Sequence, residues 1–436
     1  MSLKKTLTFF IIFKIILLPQ ISLAQTYFPP KSGTWDTLST TRFGYCNERI
    51  DSLYQFLEKT NSKSFILLID GKIVLEKYFG SFTKDSSWYW ASAGKTLTGF
   101  CVGIAQQEGK LSLMDKSSKY LGAGWTSLSA SKEDSIKVWN QITMTTGLKD
   151  NVADPDCTLP SCLQFADIPG NRWAYHNAPY TLLDKVLESA TGTTLNVYIY
   201  QKIANPIGMK GLYFKSGYNN VYGSDSRSMA RFGLLLLNKG KWNGTNIMTD
   251  TNYFNQMTNS SQNINNSYGY LTWLNGKQSF MLPQSQLIFP GSVAPDAPDD
   301  TYMALGKNGQ VLNVVPSMKM VWMRMGNPPG DNGSIPPMYN NDIWKYINAL
   351  NCGKLSNSEI HETTLTVYPN PVKQGNELSI KTIGSEVPRI FNSLGQLIEV
   401  KTDFKNDQFT VQTQHLKSGI YNLRTLNQSV KFVIVE

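Results

Sequence analysis

The sequence predicts a mixed α/β (α+β) fold, in which an antiparallel sheet is flanked by helices and interrupted by an inserted helical domain. A small all-β sandwich is expected to follow it. Strand patterns occur near both ends of residues 49–352 with helical patterns between them, whereas residues 365–436 show strand patterns alone. The chain has 436 residues and is 41% hydrophobic, which is enough for two apolar cores.

Residues 1–24 have the features of a secretory signal peptide. Lys4 and Lys5 precede an apolar run over 7–18, and small residues come before Gln25. A membrane anchor is the alternative, but a spanning helix needs about 20 apolar residues, and a lysine interrupts this run. We therefore expect no transmembrane segment once the leader is removed.

The body of the protein is expected to begin and end with elements that meet in one sheet. Two strand patterns surround Asp70-Gly71, which is a strong hairpin signal. The predicted order is an extended lead-in (25–48), a helix (50–60), the hairpin, helices and long loops (92 to about 280), strands (301–326) and a helix (340–351).

A polar linker over residues 353–364 precedes the last predicted domain, 365–436. Short strand patterns recur there at near-regular spacing, and helix signals are absent. The expected strands are "ELSI", "RIFN", "QLIEV", "QFTVQ", "GIYNLRT" and "VKFVIV".

Charge and histidine content exclude two classes of function. The formal net charge is +9, and loss of the three leader lysines gives 9 − 3 = +6. No run of five or more Lys or Arg occurs, so a nucleic-acid partner is not expected. The chain has 3 histidines and no Cys/His cluster with zinc spacing. We expect neither a metal nor a cofactor.

The 5 cysteines allow disulfides in an exported protein. Cys157 and Cys162 bracket a short loop that a disulfide could close. Cys46 and Cys352 lie just outside the first and last helices of the body, and would be neighbours if those helices pack together. Cys101 lies on an apolar helix face and is expected to be a buried thiol.

The stretch "YWASAGKTLTGF" contains the first candidate catalytic pair, Ser92 and Lys95. A serine hydroxyl is a poor nucleophile until a base takes its proton. Residues i and i+3 share a helix face, and a lysine in a dry pocket has a lowered pKa. Apolar residues follow at helical spacing, so we expect an amphipathic helix with Ser92 in its first turn. The alternative is that Ser92 merely caps this helix.

Two further motifs could complete a site. Tyr175 and Asn177 lie on a loop between a Pro-Gly turn and a helix, where the phenol could share proton transfer and the amide could bind substrate. Lys307, Asn308 and Gly309 could line a cleft on a late strand, with the lysine as a cation near substrate and the glycine permitting close approach. The alternatives are a surface Tyr-Asn turn and a plain β-turn.

The three motifs occur in an order that resembles the serine β-lactamase and penicillin-binding-protein superfamily, especially its class C branch, which also contains esterases and amide hydrolases. The stretches "ITMTTGL" and "GSDSRSMARFGLLLLNKGKW" are also similar to that branch. The resemblance implies that Ser92 is acylated, that Lys95 and Tyr175 transfer protons, and that Asn177 contacts substrate. Lys307 matches the cation of the third motif.

The resemblance also implies an oxyanion hole formed by the backbone N–H groups of Ser92 and Gln310. One residue departs from the family pattern: Asn308 replaces the usual Thr, Ser or Gly, which commonly helps to bind a substrate carboxylate. This departure favours an ester or amide substrate over a β-lactam. Whether Lys95 or Tyr175 is the base stays open.

The tail resembles the C-terminal sorting domain of type IX secretion, on the strength of "VYPNPV", "IFNSLGQLI" and "LKSGIYNLRT". This resemblance implies the type IX secretion machinery as a partner and a secreted or cell-surface location. The hypothesis is thus an exported serine hydrolase that cleaves an ester or amide in a small molecule or peptide. A β-lactam and a D-Ala-D-Ala peptide are among the possible substrates. The alternatives are a catalytically silent binding protein on the same fold and an adhesive role for the tail.

Overall fold

The computed structural model contains two compact units, one ending at Cys352 and the other beginning at Gly353. The predicted signal peptide and linker lie outside the described residues. The structure describes residues 26–330, 336–352, 365–381, 388–392, 396–405, 408–425 and 429–436.

The first unit is organised around a six-stranded antiparallel sheet with the order β2-β1-β13-β12-β11-β8. A separate three-stranded sheet has the order β3-β5-β4. The strands of this unit are β1 (Ser62–Ile69), β2 (Lys72–Tyr78), β3 (Ser87–Tyr89), β4 (Leu212–Ser216), β5 (Asn219–Asp225), β6 (Lys241–Trp242), β7 (Thr245–Asn246), β8 (Trp273–Leu274), β9 (Ser279–Met281), β10 (Ile288–Pro290), β11 (Tyr302–Gly306), β12 (Gln310–Val315) and β13 (Met320–Gly326).

Helices cover both faces of the large sheet and fill the insertion between β3 and β11. A π-helical turn, Tyr200–Ala204, joins two of them. They are α1 (Asn47–Lys59), α2 (Gly94–Gln107), α3 (Ser118–Leu121), α4 (Ala130–Glu133), α5 (Val138–Ile142), α6 (Asn177–Thr181), α7 (Leu183–Thr191), α8 (Leu195–Ile199), α9 (Asn205–Ile207), α10 (Ser226–Leu237), α11 (Thr251–Met257) and α12 (Pro336–Asn348).

The predicted hairpin is confirmed as β1 and β2. Asp70 and Gly71 form its turn with φ of 50° and 82°, the left-handed values that a two-residue hairpin turn requires. A Cβ on Gly71 would lie 1.9 Å from the carbonyl oxygen of Tyr27, so glycine also lets the lead-in pack against the turn.

The two faces of the large sheet carry different helices. On β12, Leu312 lies against α10 and the next residue, Asn313, bonds to Trp344 of α12. Successive side chains of a strand point to opposite faces, so α10 and α12 lie on opposite sides of the sheet. Helix α1 packs beside α12, where Phe56 stacks on Tyr346 at 4.4 Å. The first and last helices therefore meet, as the sequence predicts.

Helix α2 differs from its prediction as an amphipathic helix. Its residues are buried continuously from Gly94 to Ala105, so the helix has no solvent-facing side along this length. The polar residues that suggested an exposed face bond inside the core: Thr96 donates to Leu271 O, and Thr98 bonds with Tyr213. An all-round buried helix is a core element rather than a surface one.

The second unit consists of two sheets that share one apolar core, as the sequence predicts. Leu378 and Phe409 come from one sheet, and Leu423 and Phe432 from the other. The sheet orders are β14-β16-β20-β19 and β15-β22-β21-β17-β18. The strands are β14 (Thr366–Tyr368), β15 (Val372–Lys373), β16 (Glu377–Lys381), β17 (Arg389–Phe391), β18 (Leu397–Ile398), β19 (Thr402–Lys405), β20 (Gln408–Gln412), β21 (Gly419–Arg424) and β22 (Ser429–Val435).

None of the helices in the described ranges combines the length and the apolar character that crossing a bilayer requires.

Candidate active site

Ser92 lies in a single 3₁₀ turn, Ala91–Ala93, immediately before α2. The sequence predicts Ser92 in the first turn of the helix itself, whereas the structure places it in the 3₁₀ turn that precedes the helix. Ala91 has φ of 47°, a left-handed conformation that costs a non-glycine residue energy and is concentrated at functional sites. Ser92 does not cap α2, because Ala93 is the N-cap residue and no side-chain cap bond is present.

Lys95 is buried, with 4% of its surface exposed, and its ammonium group is directed at two oxygens. Its Nζ donates to Ser92 Oγ at 2.9 Å and to Asn177 Oδ1 at 2.9 Å. The rings of Tyr175 and Tyr180 lie 4.9 and 4.3 Å from the same nitrogen. Burial lowers the pKa of Lys95 to about 7, and the negative charge of Asp156 opposes that shift. At neutral pH a substantial fraction of this amine is therefore uncharged and able to accept a proton.

Tyr175 reaches the same place from the loop before α6. Its ring stacks on Trp273 at 5.9 Å and meets Tyr268 edge-on at 6.1 Å, which fixes the phenol in position. Burial raises the pKa of Tyr175, and a side-chain hydrogen bond with Ser92 acts in the opposite direction. The phenol of Tyr175, which is distant in the sequence, is thus brought to the hydroxyl of Ser92 and the amine of Lys95.

Asn177 is the first residue of α6 and links Lys95 to a carboxylate. Its Oδ1 accepts from Lys95, and its Nδ2 donates to Asp156 Oδ1 at 2.7 Å. Sequence reasoning missed Asp156, although it directly precedes Cys157, a residue that it had assigned to a possible disulfide.

The third motif forms a tight turn between β11 and β12 rather than part of a strand. Asn308 has φ of 64°, a conformation that asparagine tolerates, and its Nδ2 donates to the hydroxyl of Tyr89 at 2.7 Å. The side chain of Lys307 is exposed, and no hydrogen bond or ion pair joins it to another described side chain. The role of Lys307 as a cation near the substrate stays a prediction.

The turn nevertheless lies against the segment that contains Ser92. A Cβ on Gly306, just before the turn, would be 2.5 Å from the carbonyl oxygen of Trp90 and 2.9 Å from the backbone nitrogen of Ala93. Gly309 has φ of 71° and no room for a side chain, since a Cβ would lie 2.8 Å from the ring of Tyr339. Glycine at both positions lets the backbones approach closely.

The comparison with known families gives a match over most of the first unit. Residues 53–334 match the family model described as beta-lactamase. The chain belongs to the beta-lactamase family. The family predicted from the ordered motifs is therefore confirmed, and with it the fold.

Relatives of this beta-lactamase-family chain are distant in sequence. An uncharacterized protein of Alkalihalophilus pseudofirmus is 24% identical, over 66% of this chain and 93% of its own. A candidate 6-aminohexanoate-dimer hydrolase from Bacillus anthracis has a TM-score of 0.56 at 18% identity, covering 75% of this chain and 91% of its own. The octameric penicillin-binding protein homologue from Pyrococcus abyssi has a TM-score of 0.53 at 16% identity, covering 88% and 99%. At these identities the structures show a shared fold.

The second unit has its own family match. Residues 366–436 match the secretion system C-terminal sorting domain. This domain indicates type IX secretion, and hence a secreted or cell-surface location for this member of the beta-lactamase family.

Arg324 of β13 is a second residue that sequence reasoning missed. It is fully buried, and its Nη1 donates to the carbonyl oxygens of Asn308 and Gly309 at 2.7 and 3.1 Å. It therefore holds the backbone of the third-motif turn. A single arginine in a strand pattern of "MVWMRMG" was the available signal, because arginine is almost never fully buried unless it is paired.

Gln310 begins β12, and its side chain is committed to the backbone of the neighbouring strand. Its Nε2 donates to Gly326 O at 2.6 Å, and its Oε1 accepts from Gly326 N at 3.0 Å. These two hydrogen bonds fix the start of β12, where the backbone N–H predicted for the oxyanion hole is located. The oxyanion hole itself stays a prediction.

Both cysteine pairs that the sequence suggests are disulfide-bonded: Cys46 with Cys352, and Cys157 with Cys162. Cys101 is a free thiol buried in α2. Within the described ranges, no group of three or more His, Cys, Asp or Glu side chains could hold a metal ion.

Proposed function

We propose that this protein is an exported serine hydrolase that cleaves an ester or amide through an acyl intermediate on Ser92. The observation that supports this most strongly is the buried amine of Lys95, at 2.9 Å from Ser92 Oγ with its pKa lowered to about 7. A base with a pKa near the working pH is best matched to proton transfer. A purely structural lysine would gain nothing from burial without a carboxylate partner.

The first half of the proposed reaction forms the acyl-enzyme. The neutral amine of Lys95 takes the hydroxyl proton while Ser92 Oγ attacks the carbonyl carbon of the substrate. The backbone N–H groups of Ser92 and Gln310 stabilise the oxygen that becomes negative. The proton on Lys95 is relayed through Tyr175 to the leaving alcohol or amine, and the bond between the carbonyl carbon and that group breaks.

The second half releases the acid. A water molecule takes the place of the leaving group and loses a proton to the same Lys95–Tyr175 pair as it attacks the acyl carbon. The bond to Ser92 Oγ breaks, and the proton returns to the serine. Lys95 is again neutral and Tyr175 again protonated at the end of each half, so the second half regenerates the enzyme.

The substrate class is narrowed by Asn308. Its amide donates to Tyr89, at the position where the usual family residue commonly helps to bind a substrate carboxylate. We therefore favour ester or amide substrates over β-lactams. The name of the Bacillus anthracis neighbour, a candidate 6-aminohexanoate-dimer hydrolase, is compatible with an amide substrate.

One panel assay tests the function. The purified first unit is incubated with p-nitrophenyl acetate, a D-Ala-D-Ala peptide and nitrocefin, and with a fluorophosphonate. We expect turnover of at least one substrate and labelling at Ser92, both absent in Ser92→Ala. Turnover that survives in Ser92→Ala would refute the proposal.

A catalytically silent binding protein is the second candidate, and the Asn308–Tyr89 bond is what favours it. This candidate predicts that a fluorophosphonate does not label Ser92 and that an activated ester gives no burst of product. Stoichiometric acylation would exclude it. An adhesive role for the tail is tested by deleting residues 365–436. Loss of surface binding with normal export supports adhesion, and failed export supports sorting.

A further inference from the structure

The loop over residues 154–163 lies beside the proposed catalytic groups but belongs to none of the three motifs. It supplies Asp156, whose negative charge opposes the lowering of the Lys95 pKa by burial. This carboxylate does not touch Lys95 through a direct hydrogen bond. Its contact is with Asn177, which stands between the two.

We propose that Asp156 is a positioning residue that orients the amide of Asn177 toward Lys95. A side-chain amide has one end that accepts hydrogen bonds and one that donates them. Lys95 Nζ is a donor to both of its oxygen partners, so only the Oδ1 end of Asn177 can face it. The carboxylate of Asp156 accepts only, and it holds the Nδ2 end at 2.7 Å. The inverted amide would lose both bonds.

The orientation of Asn177 matters because it fixes the amine. When Lys95 Nζ donates one hydrogen bond to Asn177 Oδ1, the amine is held where a second hydrogen bond reaches Ser92 Oγ. An amide that rotates freely would allow the amine to leave the serine. Displacement of a reacting group by about 1 Å can cost a factor on the order of 100 in rate.

The loop that carries Asp156 is held at both ends. The backbone N–H of Ala178, in α6, donates to Pro155 O at 3.2 Å, which ties the loop directly to the helix of Asn177. Asp156 N donates to Asp154 Oδ1 at 3.0 Å and shapes the turn. Beyond the turn, Leu163 is buried in the same small apolar cluster as Ala178.

The disulfide between Cys157 and Cys162 closes the remainder of this loop. Cys157 directly follows Asp156 and is buried. A disulfide across a sequence separation of 5 restricts the unfolded chain less than one across a separation of 306 does. Its effect is local, and it restricts the backbone next to the carboxylate. The inference is therefore that this disulfide supports catalysis more than global stability.

The inference rests on the proposed acylation of Ser92, and its first test uses two substitutions of Asp156 in the disulfide-bonded protein. Asp156→Ala removes the acceptor, and we expect kcat for p-nitrophenyl acetate to fall about 10- to 100-fold with little change in KM. Asp156→Asn keeps an acceptor but removes the charge, so it should retain more of the rate. Asp342→Asn, which breaks an exposed ion pair with Lys345, is the matched control.

The pH profile separates positioning from simple structural support. The titratable and charged groups around Lys95 are Asp156, Tyr175 and Tyr180, with Asp184 behind Tyr180. Because the charge of Asp156 raises the pKa of Lys95, its removal in Asp156→Asn should move the rising limb of kcat/KM to lower pH. A loss of structure alone would lower the whole profile without moving it.

The disulfide is tested by Cys157→Ser/Cys162→Ser against Cys46→Ser/Cys352→Ser. We expect the first double variant to lower kcat by about tenfold or more, with a smaller fall in melting temperature than in the second. The second should lower the melting temperature and leave kcat close to that of the wild type. The reverse pattern overturns the role assigned to the loop.

The outcomes distinguish this inference from the proposed function. If wild-type Ser92 is not labelled by a fluorophosphonate, the proposed function fails, and the inference fails with it. If wild-type Ser92 is labelled but both Asp156 variants keep its kcat, KM and pH profile, only the positioning role is overturned. Should Asp156→Ala unfold, an unshifted profile in Asp156→Asn still overturns it.

Discussion

At the scale of single residues, the buried amine of Lys95 is the group of the candidate site that burial disfavours most clearly. A charged amine in a dry environment is unfavourable, and the protein tolerates it by lowering its pKa to about 7. The two hydrogen bonds to Ser92 and Asn177 compensate in part. Functional groups of this kind are commonly held at a cost to the fold.

Replacing this lysine by an apolar side chain should therefore stabilise the protein. We expect Lys95→Met to raise the free energy of unfolding at pH 7 by about 1–4 kcal/mol, as buried charged groups replaced by well-packed apolar ones often do. Urea unfolding measures this, with the exposed Lys110→Met as control. Acylation should be abolished. A less stable Lys95→Met protein would contradict this interpretation of the site.

The pH dependence of stability has a defined sign for the same residue. The pKa of Lys95 is about 7 in the folded state against an ordinary value of 10.5, so between these values the unfolded chain binds a proton that the folded chain has released. The contribution of Lys95 to stability thus rises with pH from about 7 to 10.5. The difference between Lys95→Met and wild type should shrink over this window, as measured by urea unfolding at several pH values.

Not all site residues could be predicted from the sequence. Ser92, Lys95, Tyr175 and Asn177 lie in short motifs whose residue types imply chemistry. Arg324 does not, because its value depends on carbonyl groups of a turn that only the folded sheet brings near. Long-range hydrogen bonds of this kind leave no periodic signal in the chain.

At the scale of elements, helix α2 is the part that the sequence described least well. A helix at the surface and a helix in the core can share the same spacing of apolar residues. They differ in whether the remaining positions face solvent or are buried. Here these positions are small residues, threonine and glycine, which find partners inside the core. The short strands β4 and β5 were missed for a related reason. Strand β4 has one buried residue among exposed ones, and most residues of β5 are only half-buried, so the alternation is weak.

Close packing around α2 makes its glycines sensitive to added volume. A Cβ on Gly103 would lie 2.4 Å from the ring of Tyr253, whereas on Gly99 it would lie 3.0 Å from Tyr270 O. Overpacking costs about 1–3 kcal/mol, which outweighs the gain of about 1 kcal/mol in helix propensity. We expect Gly103→Ala to destabilise more than Gly99→Ala in urea unfolding. Equal stabilisation of both would show that α2 is loosely packed.

At the scale of the whole molecule, one disulfide connects the beginning and end of the first unit. Cys46 and Cys352 are separated by 306 residues, and the helices α1 and α12 lie just inside them. The sequence suggested this pair on the condition that those helices pack together, and they do. We predict that Cys46→Ser/Cys352→Ser lowers the free energy of unfolding by about 2–5 kcal/mol. A midpoint in urea that equals that of the wild type would contradict this.

The two units have separate apolar cores, so the hydrolase unit should fold without the tail. We expect a protein that ends at Cys352 to keep its melting temperature, its fluorophosphonate labelling and its kcat, while export by its host is lost. Thermal unfolding and cell fractionation measure these properties. A truncated protein that is unfolded would show that the tail contributes to the stability of the first unit.

The pH dependence of acylation at Ser92 tests the central claim most directly. The rate at which a fluorophosphonate or an activated ester modifies this serine is followed by intact mass between pH 5 and 9, under conditions where the protein stays folded. The neutral amine of Lys95 is the proton acceptor in this account, so the rate should rise with pH through a single midpoint near 7. A rate that does not change across this range, or modification at a residue other than Ser92, would contradict it.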